Sequence, residues 1–358
     1  MNNAMATRRI LITGGAGFIG SAVARLAAAD RRTAVVVVDK LTYAGNLASL
    51  GAAAAATGFE FVRADICDAG TMRTVLDRFA PNAILHLAAE THVDRSIDNS
   101  AEFVRTNIVG THVLLCAALE HWRAAGAPGE FKFVHVSTDE VYGHLGARGR
   151  FREDSSYRPR SPYSASKASS DHLARAWYET YGLPVIVTNC SNNYGPYQFP
   201  EKLIPLTVLN AIHGQPLPVY GKGDNVRDWL FVDDHARALL AISEKGQPGE
   251  TYNIGAECER RNIDVVQTIC SILDDIGPAE LPRPFGKLIE FVADRPGHDH
   301  RYAIDPSKVR REIGWRPEET FDSGLRATVR WYLENRAWWE PLRSRVYGGE
   351  RLGNLVSP

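Results

Sequence analysis

A glycine-rich turn between an apolar strand and a helix constrains this chain more than any other stretch. The apolar run Arg8–Thr13 leads into Gly14-Gly15-Ala16-Gly17-Phe18-Ile19-Gly20, and a helix is predicted over Phe18–Ala29. Glycines there permit a tight turn and let the backbone approach a pyrophosphate at the helix N-terminus. The next apolar strand, Ala34–Asp39, ends in an acid nineteen residues after Gly20, which suits adenosine ribose hydroxyls and repels a 2′-phosphate. The pattern predicts a dinucleotide site that takes NAD; a purely structural turn with a surface aspartate is the alternative.

Strand and helix patterns then alternate along the first half of the chain. Further strands are predicted at Phe59–Ala64, Ala83–Leu87 and Phe131–Val136, with helices at Ala69–Phe79 and about 101 to 125. Such alternation predicts an α/β fold with a doubly wound parallel sheet of the Rossmann type. Ligands bind beyond the carboxyl ends of the strands in these sheets.

The alternation loses regularity after residue 195, where prolines become frequent. We therefore expect residues 1–195 to form the NAD-binding domain, with a later segment, about 228–256, returning to it. Residues 196–340 are expected to form mainly a smaller C-terminal substrate-binding domain. A turn is predicted just before it, at Asn192-Asn193-Tyr194-Gly195-Pro196.

Composition excludes several classes of function. The net charge of −1 gives no general attraction to nucleic acid or to a membrane, and no stretch approaches the length of a membrane span. The five cysteines form no CxxC pair, which favours a reduced, cytoplasmic protein. His298 and His300 lie in a polar loop without a third ligand, so no metal site is predicted.

Two short stretches carry the chemistry. Tyr163 and Lys167 lie four residues apart, on one face of a predicted helix. Thr138, Asp139 and Glu140 leave the end of the strand before it. We expect Lys167 to lower the pKa of Tyr163, and the two adjacent carboxyls to differ in protonation. A surface Tyr–Lys pair and a helix-capping Asp–Glu pair are the structural alternatives.

The glycine loop, Tyr163-x-x-x-Lys167 and Asn192-Asn193-Tyr194-Gly195-Pro196 together resemble the extended short-chain dehydrogenase/reductases. Longer strings resemble the branch of that family that dehydrates dTDP-glucose at C4 and C6. These are Glu90-Thr91-His92-Val93-Asp94-Arg95-Ser96, Ser137-Thr138-Asp139-Glu140-Val141-Tyr142-Gly143, Phe199-Pro200-Glu201-Lys202-Leu203-Ile204-Pro205, Arg227-Asp228-Trp229 and Asp294-Arg295-Pro296-Gly297-His298-Asp299. The resemblance runs from about Arg8 to Trp331; one departure is Thr91, where serine is more usual.

The resemblance implies an NAD-dependent lyase of deoxysugar biosynthesis. Tyr163 takes the proton of the sugar 4-hydroxyl, Thr138 hydrogen-bonds the same oxygen, Glu140 removes the C5 proton and Asp139 protonates the departing C6 hydroxyl. It also implies a homodimer, in which the helices Ala101–Ala125 and Tyr163–Tyr181 form a four-helix interface.

The resemblance also implies which residues contact the cofactor and the substrate. Those with NAD are Gly14, Gly17, Phe18, Ile19, Gly20, Asp39, Lys40, Asp65, Ile66, Leu87, Ala88, Ala89, Thr106, Tyr163, Lys167 and Asn193. Those with dTDP-glucose are Thr91, Thr138, Asn192, Lys202, Leu203, Pro218, Tyr220, Arg227, Asn262, Arg295, His298 and Tyr347.

Four other functions stay open at this point. Another nucleotide-sugar 4,6-dehydratase would differ in the base that it accepts. A 4-epimerase or a decarboxylase would use Tyr163 and Lys167, and an epimerase has no use for Asp139 and Glu140. A cofactor-binding regulator on the same scaffold usually lacks the catalytic Tyr or Lys, and this chain has both.

Overall fold

The computed structural model describes residues 8–281, 283–294 and 298–349. The strands are β1 Arg8–Thr13, β2 Thr33–Asp39, β3 Phe59–Arg63, β4 Ala83–His86, β5 Lys132–Thr138, β6 Val185–Cys190, β7 Asn192–Tyr194, β8 Leu217–Tyr220, β9 Val226–Phe231, β10 Thr251–Ile254, β11 Glu259–Arg261 and β12 Ile289–Val292. The α-helices are α1 Phe18–Ala29, α2 Ala69–Phe79, α3 Val93–Asp98, α4 Ser100–Phe103, α5 Thr111–Ala124, α6 Pro162–Tyr181, α7 Leu203–Ile212, α8 Val232–Lys245, α9 Asn262–Ile276, α10 Ser307–Glu312, α11 Phe321–Glu334 and α12 Arg336–Arg345.

The main sheet of the described residues has seven parallel strands in the order β10-β6-β5-β4-β1-β2-β3. The order reverses between β1 and β4, so the loops after these two strands diverge at the switch point where such sheets bind ligands. This confirms the predicted α/β fold with a doubly wound parallel sheet.

Alternating side chains of the strands point into two separate hydrophobic cores, one on each face of the main sheet. Ile10, Ile12 and Val37 belong to a cluster that includes buried residues of α1 and α8. Leu11 and Val36 point to the other face, into a cluster with residues of α2, α5 and α6. A parallel sheet covered on both faces requires such strands to be apolar throughout.

A third core lies in the later part of the chain, among α7, α9 and α11. Two small sheets accompany it: β11-β9-β7, and the parallel pair β12-β8. The strand β10 nevertheless pairs with β6 in the main sheet, and α8 packs on α1. The proposed division into an NAD-binding and a substrate-binding domain stays a prediction.

Local signals explain the helix that carries Tyr163 and Lys167. Ser161 caps α6 by accepting from the backbone N–H of Ser164, whose side chain in turn reaches back to the cap, and Pro162 occupies the first turn. Gly182 ends the helix with a φ of 73°, which glycine adopts at little cost.

Two local predictions need correction. Residues Asn192–Tyr194 are a strand and not a turn, because they pair in parallel with Trp229–Phe231 of β9. The long helix expected over about 101 to 125 is interrupted by a π-helical segment at Val104–Gly110. Within the described residues, no helix has the length and apolarity needed to cross a membrane.

Candidate active site

A cavity of about 290 Å³ opens at the carboxyl edge of the main sheet, beside the β1–β4 switch point. Nearly all of the residues predicted to bind the dinucleotide line it: Gly14, Gly17, Phe18, Ile19, Gly20, Asp39, Lys40, Ile66, Leu87, Ala88, Ala89, Thr106, Tyr163, Lys167 and Asn193. Thr138, Asp139 and Glu140 line the same cavity. The structure therefore brings the predicted nucleotide residues and the predicted proton-transfer residues into one site.

The glycine loop forms a cradle that side chains would fill. Gly14 has a φ of +69°, and a Cβ there would lie 2.6 Å from the backbone nitrogen of Ala88. A Cβ on Gly20 would lie 2.1 Å from the carbonyl oxygen of Gly14. The cap residue of α1, Gly17, makes no side-chain hydrogen bond to the first turn, so backbone N–H groups stay available to an anion. This geometry fits the pyrophosphate of a dinucleotide.

Backbone donors fix the acidic residue at the end of β2. Asp39 Oδ2 accepts from the N–H of Ala16 at 3.0 Å, and Oδ1 accepts from the N–H of Leu41 at 2.8 Å. Burial raises the pKa of Asp39, and these two N–H groups oppose the rise. The carboxylate is held rigidly at the cavity wall, where the ribose of an adenosine is expected.

The other predicted cofactor residues near this end differ in their placement. Lys40 Nζ donates to Thr106 Oγ1 at 3.0 Å and to Glu102 Oε1 at 2.9 Å, so it ties the end of β2 to the helical segment around residue 104. Asp65 does not line the cavity; it accepts from Arg105 Nη2 at 3.1 Å and from the N–H of Cys67. Its predicted contact with NAD stays a prediction.

Asp139 is the most deeply enclosed acid of the site. It is 1% exposed, begins a single 3₁₀ turn after β5, and its Oδ2 has no hydrogen-bond partner in the described part of the chain. Burial, with the charges of Glu140 and Asp228, raises the pKa of Asp139 well above its ordinary value. Glu140 is half-buried and faces the same cavity. The two adjacent carboxyls thus occupy different environments, as two different roles in proton transfer require.

Burial dominates the electrostatics of Tyr163. Burial and the charge of Glu140 raise the pKa of the Tyr163 phenol, and the neighbouring Thr138 hydroxyl opposes the rise only in part. Lys167 is itself buried, which lowers its pKa, and its Nζ donates to the carbonyl oxygen of Val136 at 2.8 Å. Desolvation therefore sets the direction of the net shift in this enclosed cavity. The predicted lowering contribution of Lys167 stays a prediction.

Only part of the predicted substrate set lines the cavity: Thr91, Thr138, Asn192 and Lys202. Asn192 Oδ1 is buried without a hydrogen-bond partner among the described residues, as is Asn262 Oδ1 at the start of α9. Buried oxygens in this state favour a polar ligand.

The remaining predicted substrate residues lie away from the cavity lining. Arg227 is buried and donates to the carbonyl oxygens of Val226 and Asp299, at 2.8 Å and 2.9 Å. His298 pairs with Asp294 at 2.7 Å. Pro218 and Tyr220 lie in β8, Leu203 begins α7, and Tyr347 packs 6.5 Å from the cavity residue Phe199. Arg295 lies outside the described residues. These contacts stay predictions.

Sequence reasoning missed a cluster of three interacting side chains beside the cavity: Tyr43, Arg95 and Glu201. Glu201 accepts from Tyr43 OH at 3.1 Å and from Arg95 Nε at 2.8 Å, while the Arg95 guanidinium lies 3.9 Å from the centre of the Tyr43 ring. Glu201 directly precedes the predicted substrate residue Lys202. Its burial, however, depends on Tyr43 and Arg95, which lie more than a hundred residues away in the chain. No local pattern reveals such a contact.

No group of three or more potential metal ligands occurs among residues 8–281, 283–294 and 298–349. The five cysteines, all within the described ranges, are free.

Comparison with known proteins places this geometry in a family. The family model described as GDP-mannose 4,6 dehydratase matches residues 11–328. A probable dTDP-glucose 4,6-dehydratase of Sinorhizobium fredii is 58% identical over 97% of this chain and 99% of its own length. The dTDP-glucose 4,6-dehydratase of Neisseria meningitidis is also 58% identical, again over 97% of this chain and 99% of its own.

Solved structures agree. A dTDP-glucose 4,6-dehydratase of Streptomyces venezuelae, solved with NAD and a second ligand, superposes with a TM-score of 0.84 at 48% identity, covering 93% of this chain and 99% of that one. A UDP-glucose 4-epimerase of Thermotoga maritima reaches a TM-score of 0.79 at 28% identity, over 91% of this chain and 99% of that one. Since identity is far higher to the dehydratases than to the epimerase, the chain belongs to the GDP-mannose 4,6 dehydratase family, on its dTDP-glucose 4,6-dehydratase branch.

Proposed function

We propose that the protein is an NAD-dependent dTDP-glucose 4,6-dehydratase. The reaction converts dTDP-D-glucose to dTDP-4-keto-6-deoxy-D-glucose and water. Relatives with this name are 56% to 58% identical to the chain over at least 95% of its length.

One observation carries the proposal beyond family membership: the enclosure of Asp139, which is 1% exposed and whose Oδ2 has no hydrogen-bond partner among the described residues. Burial raises the pKa of this carboxyl and so favours its protonated form. Such a group donates a proton to a leaving hydroxyl, which is needed when water is eliminated. An epimerase reverses the configuration at C4 and has no leaving hydroxyl to protonate.

The cofactor fits the residues present. Gly14, Gly17 and Gly20 leave room for the pyrophosphate at the start of α1, and Asp39 would hold the adenosine ribose. Tyr163 and Lys167 line the same cavity, and Tyr163 lies close enough to Glu140 for that charge to raise its pKa. NAD, when bound there, accepts the C4 hydride and later returns a hydride to C6.

The protein side chains supply the proton transfers. Tyr163 takes the proton of the 4-hydroxyl, and Thr138 donates a hydrogen bond to the same oxygen. Burial disfavours the charged phenolate form of Tyr163. Lys167, one helical turn away, provides a positive charge that opposes this effect. Once C4 is a ketone the C5 proton becomes acidic; Glu140 removes it and Asp139 protonates the C6 hydroxyl as it leaves. C5 takes up a proton again when hydride returns to C6, which gives the 4-keto-6-deoxy product.

The substrate diphosphate and base are proposed to lie toward the later part of the chain. Lys202 and Asn192 line the cavity, and an ammonium and an amide are suited to bind a phosphate and a sugar hydroxyl. Arg227 offers a buried positive charge close enough to lower the pKa of Asp139. Asn262 has a buried oxygen without a hydrogen-bond partner in the described part of the chain, which suits a donor on the ligand.

We also propose a homodimer in the cytoplasm. The helical stretch from residue 100 to 124 and the helix α6 pack on each other, and their outer faces leave Val104, Val109 and Tyr181 more than 40% exposed. Exposed apolar side chains on two adjacent helices favour pairing with the same surface of a second copy. Free cysteines are consistent with a reducing compartment.

Incubation of the purified protein with a panel of nucleotide-glucoses tests the function. We expect dTDP-glucose to give a 4-keto-6-deoxy sugar, detected by its alkaline absorbance and by mass spectrometry as loss of water. Tyr163→Phe serves as the inactive control. A product of unchanged mass with inverted C4 would contradict the proposal in favour of an epimerase.

A further inference from the structure

Behind the catalytic side chains lies a buried acid that the proposed mechanism does not use. Asp171 is 0% exposed and lies on α6, four residues after Lys167, which itself follows Tyr163 by four. Residues at this spacing share one face of a helix. Tyr163, Lys167 and Asp171 therefore form a row that runs from the cavity into the protein interior.

Neutral donors from two other segments converge on this acid. Ser137 Oγ and Tyr157 OH donate to Asp171 Oδ2 at 2.9 Å and 2.8 Å. His135 Nε2 lies 3.1 Å from Oδ1, and it must donate because an ionised carboxylate only accepts. Burial alone would raise the pKa of Asp171, but His135, Lys167 and Ser137 outweigh it and hold that pKa below its ordinary value. The group is an ionised carboxylate in the interior.

The situation of Lys167 is the reverse of that of Asp171, because burial disfavours its charged ammonium form. Burial lowers the pKa of Lys167, and the charge of Asp171 is the main influence that raises it again. The Nζ atom donates to the carbonyl oxygen of Val136, one residue before Ser137. A carbonyl oxygen accepts from either the neutral amine or the ammonium, so this contact does not by itself keep Lys167 charged.

The other titratable groups around Asp171 do not replace it. Burial and Lys167 lower the pKa of His135 although Asp171 opposes them, which favours the neutral imidazole. Burial and Asp171 raise the pKa of Tyr157, which keeps the phenol protonated. Arg175, the next residue in the row, donates to Tyr157 OH at 2.9 Å and to Thr251 Oγ1 at 3.3 Å. Asp171 is thus the buried anion of this group, placed between the cations Lys167 and Arg175.

We propose that Asp171 is a positioning residue that keeps Lys167 in its ammonium form beside Tyr163 and ties the end of β5 to α6. Through Ser137 and His135 it holds the strand end from which Thr138, Asp139 and Glu140 project. The inference rests on the proposed function only in giving the charge of Lys167 a use in the oxidation at C4.

The charge of Lys167 can be titrated directly. In protein labelled with [ε-¹³C]lysine, the Cε resonance of Lys167, assigned by its absence in Lys167→Met, reports the ammonium without any substrate. We expect Asp171→Asn to weaken proton binding by Lys167 at least tenfold, which is a fall of about one pH unit in its midpoint. Ser137→Ala is the matched control: it removes one hydrogen bond to Asp171, leaves the charge, and should move the midpoint little. An equal midpoint in Asp171→Asn and the parent would overturn the inference.

The reciprocal titration leaves Asp171 unchanged, so it holds even where Asp171→Asn folds poorly. Coupling between two protonation sites is mutual. In protein labelled with [γ-¹³C]aspartate, Lys167→Met should therefore strengthen proton binding at Asp171 at least tenfold. No change in that carboxyl would refute the proposed pairing. Since neither titration involves turnover, both results stand whichever sugar the enzyme accepts.

Discussion

The substitution Asp139→Asn tests the protonation that the proposed mechanism requires. Asparagine has the shape of the protonated acid and can still accept from Thr138 Oγ1, which lies 3.4 Å from Asp139 Oδ1. It has no acidic proton to give to a leaving hydroxyl. We expect dehydration to fall by roughly 10²- to 10⁴-fold, the usual contribution of a general acid.

The same substitution should alter stability with a defined dependence on pH. The pKa of Asp139 is raised by folding, so its favourable contribution is complete below the ordinary value of 3.8 and is lost as the pH rises toward the folded-state pKa. Over that window the parent loses about 1.4 kcal/mol of unfolding free energy per pH unit because of this one group. The amide never ionises, so Asp139→Asn should become progressively more stable than the parent as pH increases from about 4.

Urea denaturation of both proteins across a pH series measures this difference. Asp77→Asn, in which an exposed aspartate of α2 is replaced, is the matched control and should follow the parent at every pH. A constant difference between Asp139→Asn and the parent over the series would show that Asp139 is already ionised in the folded protein. The general-acid role would then be untenable.

Four further predictions follow from the site. Asp39→Asn should raise the affinity for NADP at least about tenfold, because the repulsion of a 2′-phosphate is removed; fluorescence titration measures this, and an unchanged ratio of NAD to NADP affinity would count against the role of Asp39. Gly20→Ala should abolish NAD binding in calorimetry, because its Cβ would lie 2.1 Å from the Gly14 carbonyl oxygen; normal binding would mean that the loop relaxes at little cost. Glu140→Gln should lose dehydration by about 10²- to 10⁴-fold yet still reduce bound cofactor with substrate, while deuterium at C4 appears in the product methyl group of the parent; label lost to solvent would exclude hydride return. Val104→Glu should shift the protein to a monomer in light scattering at micromolar concentration, and an unchanged mass would place the interface elsewhere.

Local chemistry accounts for what the sequence predicted well. The helices Phe18–Ala29 and Ala69–Phe79 have the predicted bounds, because the residues that start and stop them stand next to them in the chain. The glycine loop was equally clear, since Gly20 lies against the backbone of Gly14 in the same loop.

Contacts between distant segments account for what was missed. Residues Asn192–Tyr194 look like a turn until Trp229–Phe231 pairs with them. The sign of the pKa shift of Tyr163 depends on how completely the cavity walls remove water, which spacing along a helix does not reveal. Asp171 gave no signal either, because the partners that make it important lie on β5 and in the segment before α6.

The strand β10 has a consequence for how this protein is made. Its residues Thr251–Ile254 complete the edge of the main sheet against Val187–Cys190, although sixty residues separate the two strands in the chain. During synthesis the backbone N–H and C=O groups on this edge of β6 therefore stay unpaired until residue 254 has left the ribosome. An open edge of that kind is a template for pairing with other chains. A fragment that ends at residue 195 would leave the edge of β6 permanently exposed and should aggregate. A variant in which residues 226–254 are joined to residues 8–195 retains both β10 and the helix α8, which packs on α1.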